Sequence, residues 1–555
     1  MRTKGLNIFS LEVFFSIAIG LGVFLRIIFL DQREFWYDEV LSLMIAAGNL
    51  TAYVSPDSSE FPVLLSNYTK LFAFSPSSAQ LFGSISDQSW LQGLEAFLKT
   101  LWQEPHPPLF YLSQQIWQQL FGNSVAAARS LNALISIIAI GSSYGLGQVV
   151  LGQRGGLSLA ALMALNPFFL SYSLNLRMYC PTVLWATLSA WALLQLIRQR
   201  KQSISVPWWQ GLGWSTLLAV SVACGLMTFY LFAYFVLALG VLAVFLERKL
   251  AWRYGLLLGL GGLLTLPWMI WGFSRQLDNV DLARFNRDLP PVEFLLQQFQ
   301  GILKVLGNLL LSGEWGSDLS LTFQLGIGAV VVIVLLLCGL SLSRQREYPT
   351  LVTALILGLL PLGLIFGADL LMGKMTLDWG TGRSVIFALP GCLLLIVIWM
   401  ELTAGRWRTP AACFLVILYG AISIGNYTLR SRTGMTELAR IVEQDLTQPT
   451  LIAMNSSAWG HVLRLAYYID PTAAVMLSAK PTPELIEALE TQAQQYPRVI
   501  LLESARPIVP NEPMTETERQ QIANIMQQAR MRFVGETQLS GTADIDRFTM
   551  RIYER

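Results

Sequence analysis

Residues 8–39 read IFSLEVFFSIAIGLGVFLRIIFLDQREFWYDE, in which a long apolar run is followed closely by two adjacent acids, Asp38 and Glu39. About 20 mostly apolar residues suffice to cross a bilayer, and no small-residue cleavage site follows, so the run is predicted to be an uncleaved first membrane span. The carboxylates then lie where the chain emerges into water. They either cap a juxtamembrane helix that begins near Val40 or include a catalytic base.

The composition is that of a multi-pass membrane protein. Hydrophobic residues make up 54% of the 555 residues and charged residues only 13%, whereas soluble chains carry roughly 25% charged residues. The formal net charge of +2 is too small to indicate a nucleic-acid partner. None of the five cysteines forms a CxxC pair, so they are predicted to be apolar packing residues rather than a disulfide frame or a zinc site.

The apolar runs predict about eleven membrane spans, at residues 8–30, 124–149, 155–173, 179–197, 211–228, 230–247, 253–273, 322–343, 350–371, 384–402 and 410–427. Residues 106–121, HPPLFYLSQQIWQQLF, are shorter and rich in glutamine. We therefore interpret them as an interfacial amphipathic helix rather than a span.

Loop charges predict the orientation, because Lys and Arg concentrate on the cytoplasmic side. With Arg2 and Lys4 inside, all the short even-numbered loops are basic, at residues 152–154, 197–201, 247–253, 343–346 and 405–408. The opposite loops are mixed in charge, at residues 31–123, 171–178, 274–321 and 372–383. The N-terminus is therefore predicted to be cytoplasmic, and Asp38 to lie on the outer face of the plasma or inner membrane.

The end of the chain predicts a separate fold. β-like runs at residues 450–454, 474–477, 499–502, 533–536 and 548–553 alternate with amphipathic helical stretches at 436–446, 460–469, 483–495 and 515–531. This alternation predicts a small α/β domain. We divide the chain into a helical membrane domain, 1–428, with a first outer loop at 31–123, and a soluble α/β domain, 429–555, on the outer face.

Two groups of polar residues in the predicted outer loops could serve a site. Glu104, His106 and Tyr111 belong to EPHPPLFY, which either shapes a site or is a proline-rich loop with a solvated histidine. Arg177, in NLRMY, is followed by Tyr179. An arginine at a membrane surface is either a snorkelling anchor or a bidentate phosphate ligand.

A third group breaks the positive-inside pattern. Lys374 and Arg383 flank the outer loop GKMTLDWGTGR, although positive charges are disfavoured on that side. Charges kept there suggest a function, such as holding a phosphate.

A carboxylate pair and several cations on one side of the membrane suit glycosyl transfer from a polyprenyl-phosphate sugar. The cations would stabilise the departing phosphate, and a carboxylate would deprotonate the acceptor hydroxyl as it attacks the anomeric carbon. No GxGxxG or Walker motif points to a nucleotide-sugar donor.

The ordered motifs resemble those of a known class. WYDE, HPPLFYL, LFGNSVAAARSLNAL, LNPFFLSYSLNLRMY and RSVIFALPG follow one another in the order found in GT-C glycosyltransferases that use polyprenyl-phosphate sugars. The chain is similar to the bacterial protein O-mannosyltransferase-like enzymes and to the aminoarabinose transferases. The resemblance covers roughly residues 8–430 and implies a helical membrane fold of the GT-C type.

The resemblance also implies roles for particular residues. Asp38 corresponds to the catalytic base, with Glu39 as its acidic neighbour. Arg177 and Tyr179 correspond to an Arg-x-Tyr that contacts the donor phosphate, and Arg383 to an arginine that opens a late span. Inversion at the anomeric carbon is implied.

No metal is expected to be obligatory. The resemblance to oligosaccharyltransferases nevertheless implies that Asp38, Glu39 and Glu104 could hold a divalent cation. The acceptor implied by the resemblance is a lipid, a glycan or a protein, and the sequence favours none of these.

Two other classes of function could use some of the same residues. A transporter or flippase for lipid-linked sugars would use the same outer charges, but it would also need polar residues near the bilayer midplane, which are nearly absent. In a binding protein, the α/β domain would be the working part, but about eleven spans are excessive for an anchor.

Overall fold

The computed structural model describes residues 11–74, 89–201, 207–279, 285–286, 289–430, 432–507, 512–541 and 544–555. Arg2 and Lys4, which contributed to the predicted orientation, lie outside this part. The chain forms two compact units. The helical unit comprises Met1–Leu30, Trp102–Ser113 and Arg129–Asn426, and the sheet unit comprises Asp31–Leu101, Gln114–Ala128 and Tyr427–Arg555.

The helical unit contains the membrane helices. Within the described ranges, nine helical stretches are long and apolar enough to cross a membrane, or up to eleven if each of two bent pairs is one span. The nine are Leu11–Ile28, Val125–Leu151, Tyr179–Lys201, Trp208–Thr228, Pro291–Asp318, Leu321–Arg344, Tyr348–Met372, Trp379–Leu402 and a stretch that contains Arg408–Leu429. A helical membrane protein of about eleven spans is confirmed.

Two predicted spans are bent, and proline explains both bends. Gln153–Leu165 and Pro167–Ser173 meet at 64°, because Pro167 forces the preceding Asn166 out of the helical region. Ala251–Leu264 and the helix that begins at Leu266 meet at 44°, next to Pro267. The predicted span 230–247 forms a shorter apolar helix, Phe232–Leu246.

One prediction is wrong: residues 274–321 are not merely a loop. The helices Ser274–Asn279 and Pro291–Gly307 lie within this range, and the second continues as a π-helix over Asn308–Ser312. The charges of Glu293 and Lys304 concealed this apolar helix in the sequence. In the structure Lys304 forms an ion pair with Asp378, which lowers the cost of placing its charge among apolar residues.

The sheet unit is built on six strands in the order β1-β3-β2-β4-β6-β5. They are β1 (Val63–Leu64), β2 (Thr450–Met454), β3 (Val475–Ala479), β4 (Arg498–Ser504), β5 (Arg532–Leu539) and β6 (Phe548–Glu554). β2, β3 and β4 pair in parallel, whereas β1, β6 and β5 are antiparallel to their neighbours. β4 is buried along its whole length, as expected for a strand in the middle of a covered sheet.

Helices accompany the sheet in the same unit, at Tyr37–Ala46, Ser66–Thr69, Ser89–Thr100, Gly434–Glu443, Trp459–Tyr468, Thr482–Gln492 and Glu516–Gln528. The predicted α/β alternation of the tail is therefore confirmed. β1 comes from the predicted first outer loop and extends the sheet of the tail by pairing with β3. The first loop and the tail are thus parts of one unit, although the sequence division places them in different domains.

Candidate active site

The predicted site residues fall in both units. Asp38 and Glu39 belong to the sheet unit, and Glu104, His106, Tyr111, Arg177, Tyr179, Lys374 and Arg383 belong to the helical unit.

In the helical unit, Glu104 is the centre of a hydrogen-bonded cluster. Its Oε1 lies 2.5 Å from His106 Nδ1 and accepts from the Tyr111 hydroxyl at 2.8 Å. Arg177 Nη1 donates to the same hydroxyl at 3.4 Å. Pro107 and Pro108 precede the helix Leu109–Phe121, so the chain enters the helix in a restricted conformation that brings residues 104 and 111 together.

The electrostatics of this cluster favour a charged carboxylate. Burial by itself raises the pKa of Glu104, but the hydrogen bond and charge of His106, followed by Arg177 and Tyr111, outweigh burial and hold the pKa below its usual value. Burial, reinforced by the charge of Glu104, keeps the pKa of Tyr111 well above its ordinary value. Glu104 is therefore an anionic partner of His106 and Arg177 rather than a strong base.

Gln276 fixes the backbone of this cluster. Its Nε2 donates to the carbonyl oxygens of Glu104 at 2.5 Å and His106 at 2.9 Å. Its Oε1 accepts from the Tyr230 hydroxyl, which in turn accepts from Trp268 Nε1 at 2.9 Å. Sequence reasoning missed Gln276 and Tyr230, because each is an isolated polar residue with no motif around it.

The turn that carries Arg177 is held by Asn132. The Nδ2 of Asn132 donates to the carbonyl oxygens of Asn175 at 2.5 Å and Arg177 at 2.8 Å. Asn132 belongs to the quoted LFGNSVAAARSLNAL motif, so one function of that motif is to shape this turn. Arg177 and Tyr179 are both buried.

Arg383 joins the same group through Tyr179. The guanidinium carbon of Arg383 lies 5.5 Å from the centroid of the Tyr179 ring, within cation–π range. The structure therefore brings together Glu104, His106, Tyr111, Arg177, Tyr179 and Arg383.

A left-handed turn precedes Arg383. Gly380, Thr381 and Gly382 have φ values of 62°, 60° and 101°. A Cβ at Gly380 would lie 2.0 Å from Arg383 Nε, so the arginine side chain packs directly against this glycine. Asn308 Nδ2 donates to the Thr381 carbonyl at 3.1 Å and stabilises the turn.

The backbone of Lys374 is held by two neighbouring residues. Its backbone N–H donates to the Asp369 carbonyl at 3.0 Å, and its carbonyl accepts from Gln298 at 2.6 Å. The structure thus anchors the Lys374 backbone in its loop, and its role as a phosphate ligand stays a prediction.

In the sheet unit, Asp38 and Glu39 begin the helix Tyr37–Ala46. Glu39 is fully buried, and its Oε2 accepts from the Trp36 backbone N–H at 3.1 Å, so Glu39 caps the helix. Asp38 is half-buried, and its carbonyl accepts from the Ser42 hydroxyl at 3.1 Å. Of the two acids, Glu39 is the one whose side chain forms the cap.

The described residues contain no group of three or more His, Cys, Asp or Glu side chains placed to hold a metal ion. Glu39 caps a helix and Glu104 binds His106 and Tyr111.

Comparisons with known proteins agree with this fold. Residues 105–271 match the family model of dolichyl-phosphate-mannose-protein mannosyltransferases. No curated protein shows a significant match to the chain.

Among solved structures, the chain is similar to ArnT from Cupriavidus metallidurans in the apo state, at 12% identity and a TM-score of 0.51 over 97% of both chains. It is also similar to ArnT from the same organism bound to undecaprenyl phosphate, at 13% identity and a TM-score of 0.41 over 98% of both. An oligosaccharyltransferase from Archaeoglobus fulgidus matches at 12% identity and a TM-score of 0.43, over 88% of this chain and 67% of that one. The fold assignment rests on the first of these.

The fold and the family match confirm the resemblance indicated by the ordered motifs. The protein is a multi-pass membrane protein with the fold of the GT-C glycosyltransferases, and part of its helical unit matches a mannosyltransferase family model. The matched segment, 105–271, contains His106, Tyr111, Arg177 and Tyr179.

Proposed function

We propose that the protein transfers one sugar from a polyprenyl-phosphate donor to an acceptor hydroxyl, with Asp38 as general base and Arg177 and Arg383 as ligands of the departing phosphate. The observation that carries this proposal is the cluster in which Arg177, Tyr179 and Arg383 converge beside Glu104. A pair of guanidinium groups supported by a tyrosine suits a phosphate monoester.

The proposed reaction is a single displacement. Asp38 takes the proton of the acceptor hydroxyl as its oxygen attacks the anomeric carbon. The bond between that carbon and the phosphate oxygen breaks, and its electron pair goes to the phosphate, which Arg177 and Arg383 stabilise. Attack opposite to the leaving group inverts the anomeric configuration.

Asp38 is a better candidate for the base than Glu104. His106, Arg177 and Tyr111 stabilise the Glu104 carboxylate and lower its proton affinity, so Glu104 is suited to holding the site together. Asp38 lies half-buried in the first turn of a helix, whereas Glu104 is buried.

The donor is a lipid-linked sugar, because the family match is to enzymes described as using dolichyl-phosphate-mannose. That description also names protein as an acceptor, and a glycan or lipid hydroxyl would react by the same displacement.

The reaction is proposed to occur on the outer side of the membrane, with the N-terminus inside. Basic loops at residues 343–346 and 405–408 support this orientation, because Lys and Arg favour the cytoplasmic side. A complete crossing by Pro291–Gly307 would place both loops outside. We therefore propose that this helix enters the membrane without crossing it, and that the sheet unit lies outside.

The substitution Asp38→Asn tests the proposal. With undecaprenyl-phosphate mannose as donor and native membranes as acceptor source, kcat for release of undecaprenyl phosphate should fall by about 10³-fold, because the base is lost. Binding of undecaprenyl phosphate to the purified variant should stay within about threefold of wild type, because the phosphate ligands are intact. Asp31→Asn changes an exposed acid in the same predicted loop and serves as the control.

An Asp38→Asn enzyme that retained wild-type turnover would contradict the proposal. Reconstitution into vesicles separates the proposal from the flippase alternative, because a flippase would move the labelled lipid between leaflets without transferring its sugar.

A further inference from the structure

The sheet unit contains a buried network of ion pairs around the acidic segment, which we define as residues 34–39. Three carboxylates, from Glu34, Glu39 and Asp546, and two guanidinium groups, from Arg432 and Arg464, are all buried. Arg464 Nη1 donates to Asp546 Oδ1 at 2.9 Å, and its Nη2 lies 3.5 Å from Glu34 Oε2. Arg432 Nε lies 3.5 Å from Asp546, and its Nη1 lies 4.0 Å from Glu39.

The backbone of the acidic segment is fixed by the tail as well. The Glu34 N–H donates to the Arg432 carbonyl at 3.1 Å, and the Phe35 N–H donates to the Tyr468 hydroxyl at 2.7 Å. The Glu34 carboxylate accepts from the backbone N–H groups of residues 435 and 436, at 3.0 Å and 2.5 Å. These amides lie at the N-terminus of the helix Gly434–Glu443, which favours a negative partner.

Close helix packing completes the attachment. A Cβ at Gly460 would lie 2.5 Å from ring atoms of Tyr37, so only glycine allows this approach. Tyr37 also meets His461 edge to face, with ring centroids 5.3 Å apart. The helix Trp459–Tyr468 therefore supports the residue immediately before Asp38.

Asp38 is thus held on both sides by groups that belong to the tail. Tyr37 precedes it and packs on the helix that carries Arg464, and Glu39 follows it and faces Arg432. The arginines compensate carboxylates that would be costly to bury alone. A general base must keep its position to a fraction of an ångström, so loosening this network should misplace Asp38.

We infer that the tail, through residues 432–468 and Asp546, is a positioning module for Asp38, and that Arg464 is its central positioning residue. This inference rests on the proposed function, because it assigns the tail a role in placing the proposed base. A positioning role would also explain why the first loop and the tail belong to one unit.

The test compares Arg464→Gln and Tyr468→Phe in the full-length protein, with undecaprenyl-phosphate mannose as donor. Arg464→Gln should lower kcat by about 100-fold and Tyr468→Phe by about 5-fold, with the KM for the donor within about threefold of wild type in both. A change in kcat alone is expected because the donor-phosphate ligands lie in the helical unit.

Arg519→Gln is the matched control. Arg519 also pairs with carboxylates in the sheet unit, Glu503 and Glu516, but it makes no contact with the acidic segment among the described residues. Its kcat should stay within about twofold of wild type.

Tyr468→Phe removes one hydroxyl and keeps the ring, so it decides the question if Arg464→Gln does not fold. Wild-type kcat in the folded variants would overturn the inference. So would a rise in the KM for the donor as large as the fall in kcat, or an equal fall in kcat in the Arg519→Gln control. The proposed function itself fails only if Asp38→Asn is active. An inactive Asp38→Asn enzyme beside fully active tail variants would refute the positioning role alone.

Discussion

Arg177 makes the most specific geometric demand of any single residue in the proposed site. Its guanidinium donates to the Tyr111 hydroxyl at 3.4 Å while its turn is held by Asn132. A lysine keeps the charge but loses the planar pair of donors. We expect Arg177→Lys to lower kcat/KM for the polyprenyl-phosphate donor by about 100-fold, mostly through a higher KM, in a steady-state transfer assay.

Arg154→Lys provides the control for this prediction. Arg154 also pairs with a carboxylate in the helical unit, Glu401, at 2.7 Å, but it lies in a predicted cytoplasmic loop. Its substitution should leave kcat/KM within about twofold of wild type. Equal losses in the two variants would show that Arg177 acts through general stability rather than through the donor.

The residue scale also shows what the sequence could and could not predict. Arg177, Tyr179 and Arg383 were found from loop position and motif order, and the structure brings them together. Gln276 was not found, because its contribution depends on a carbonyl pair 170 or more residues away.

At the scale of the element, the left-handed turn 380–382 determines where the Arg383 side chain lies. Gly380 has a φ of 62°. Arg383 Nε lies where a side chain at position 380 would begin. Gly380→Ala would therefore push the guanidinium away from the Tyr179 ring. We expect the affinity for undecaprenyl phosphate to fall by about 10-fold or more, measured by equilibrium binding to the purified protein.

Gly373→Ala separates displacement from backbone strain. Gly373 has a similar φ of 65°, but an added Cβ would have no neighbour within 4 Å. Both alanines should cost roughly 1 kcal/mol in unfolding free energy, because both adopt the left-handed region. If Gly373→Ala weakened binding as much as Gly380→Ala, strain rather than the displacement of Arg383 would be the cause.

Elements were predictable where one physical signal dominated. The strands of the tail were placed to within a few residues, because short β-branched runs bounded by turns are distinctive. The helix Pro291–Gly307 was missed, because the sequence does not show that the charge of Lys304 is paired with Asp378. An ion pair between residues 74 positions apart cannot be recognised from the local sequence.

For the whole molecule, composition predicted a multi-pass helical protein, whereas the grouping into units was not predictable. β1 is only two residues long, so it carries no periodic signal, yet its pairing with β3 helps to place the first loop in the same unit as the tail. The network of Arg432, Arg464 and Asp546 was not predictable either, because the sequence does not show that these charged residues are buried together.

The burial of His461 predicts a pH-dependent stability of the sheet unit. Burial, followed by the charge of Arg464, lowers the pKa of His461 from 6.5 to about 3. His461 is therefore neutral in the folded protein, with one ring nitrogen 2.8 Å from the Ser456 hydroxyl and the other 2.9 Å from the Ile545 carbonyl. Since the unfolded chain binds a proton that the folded chain does not, the stabilisation is present above pH 6.5 and is lost as the pH falls towards 3.

We expect the unfolding free energy of the sheet unit to be about 1.4 kcal/mol lower at about pH 5.5 than at about pH 7.5. Hydrogen exchange of β2 and β4 in the full-length protein, corrected for the intrinsic exchange rates, measures this difference. His461→Gln should be less stable than wild type at high pH but should lack the slope between these pH values, because glutamine does not titrate and the carboxylates titrate mainly at lower pH. An equal slope in both proteins would show that groups other than His461 set the pH response, and that the ring does not stay neutral beside Arg464.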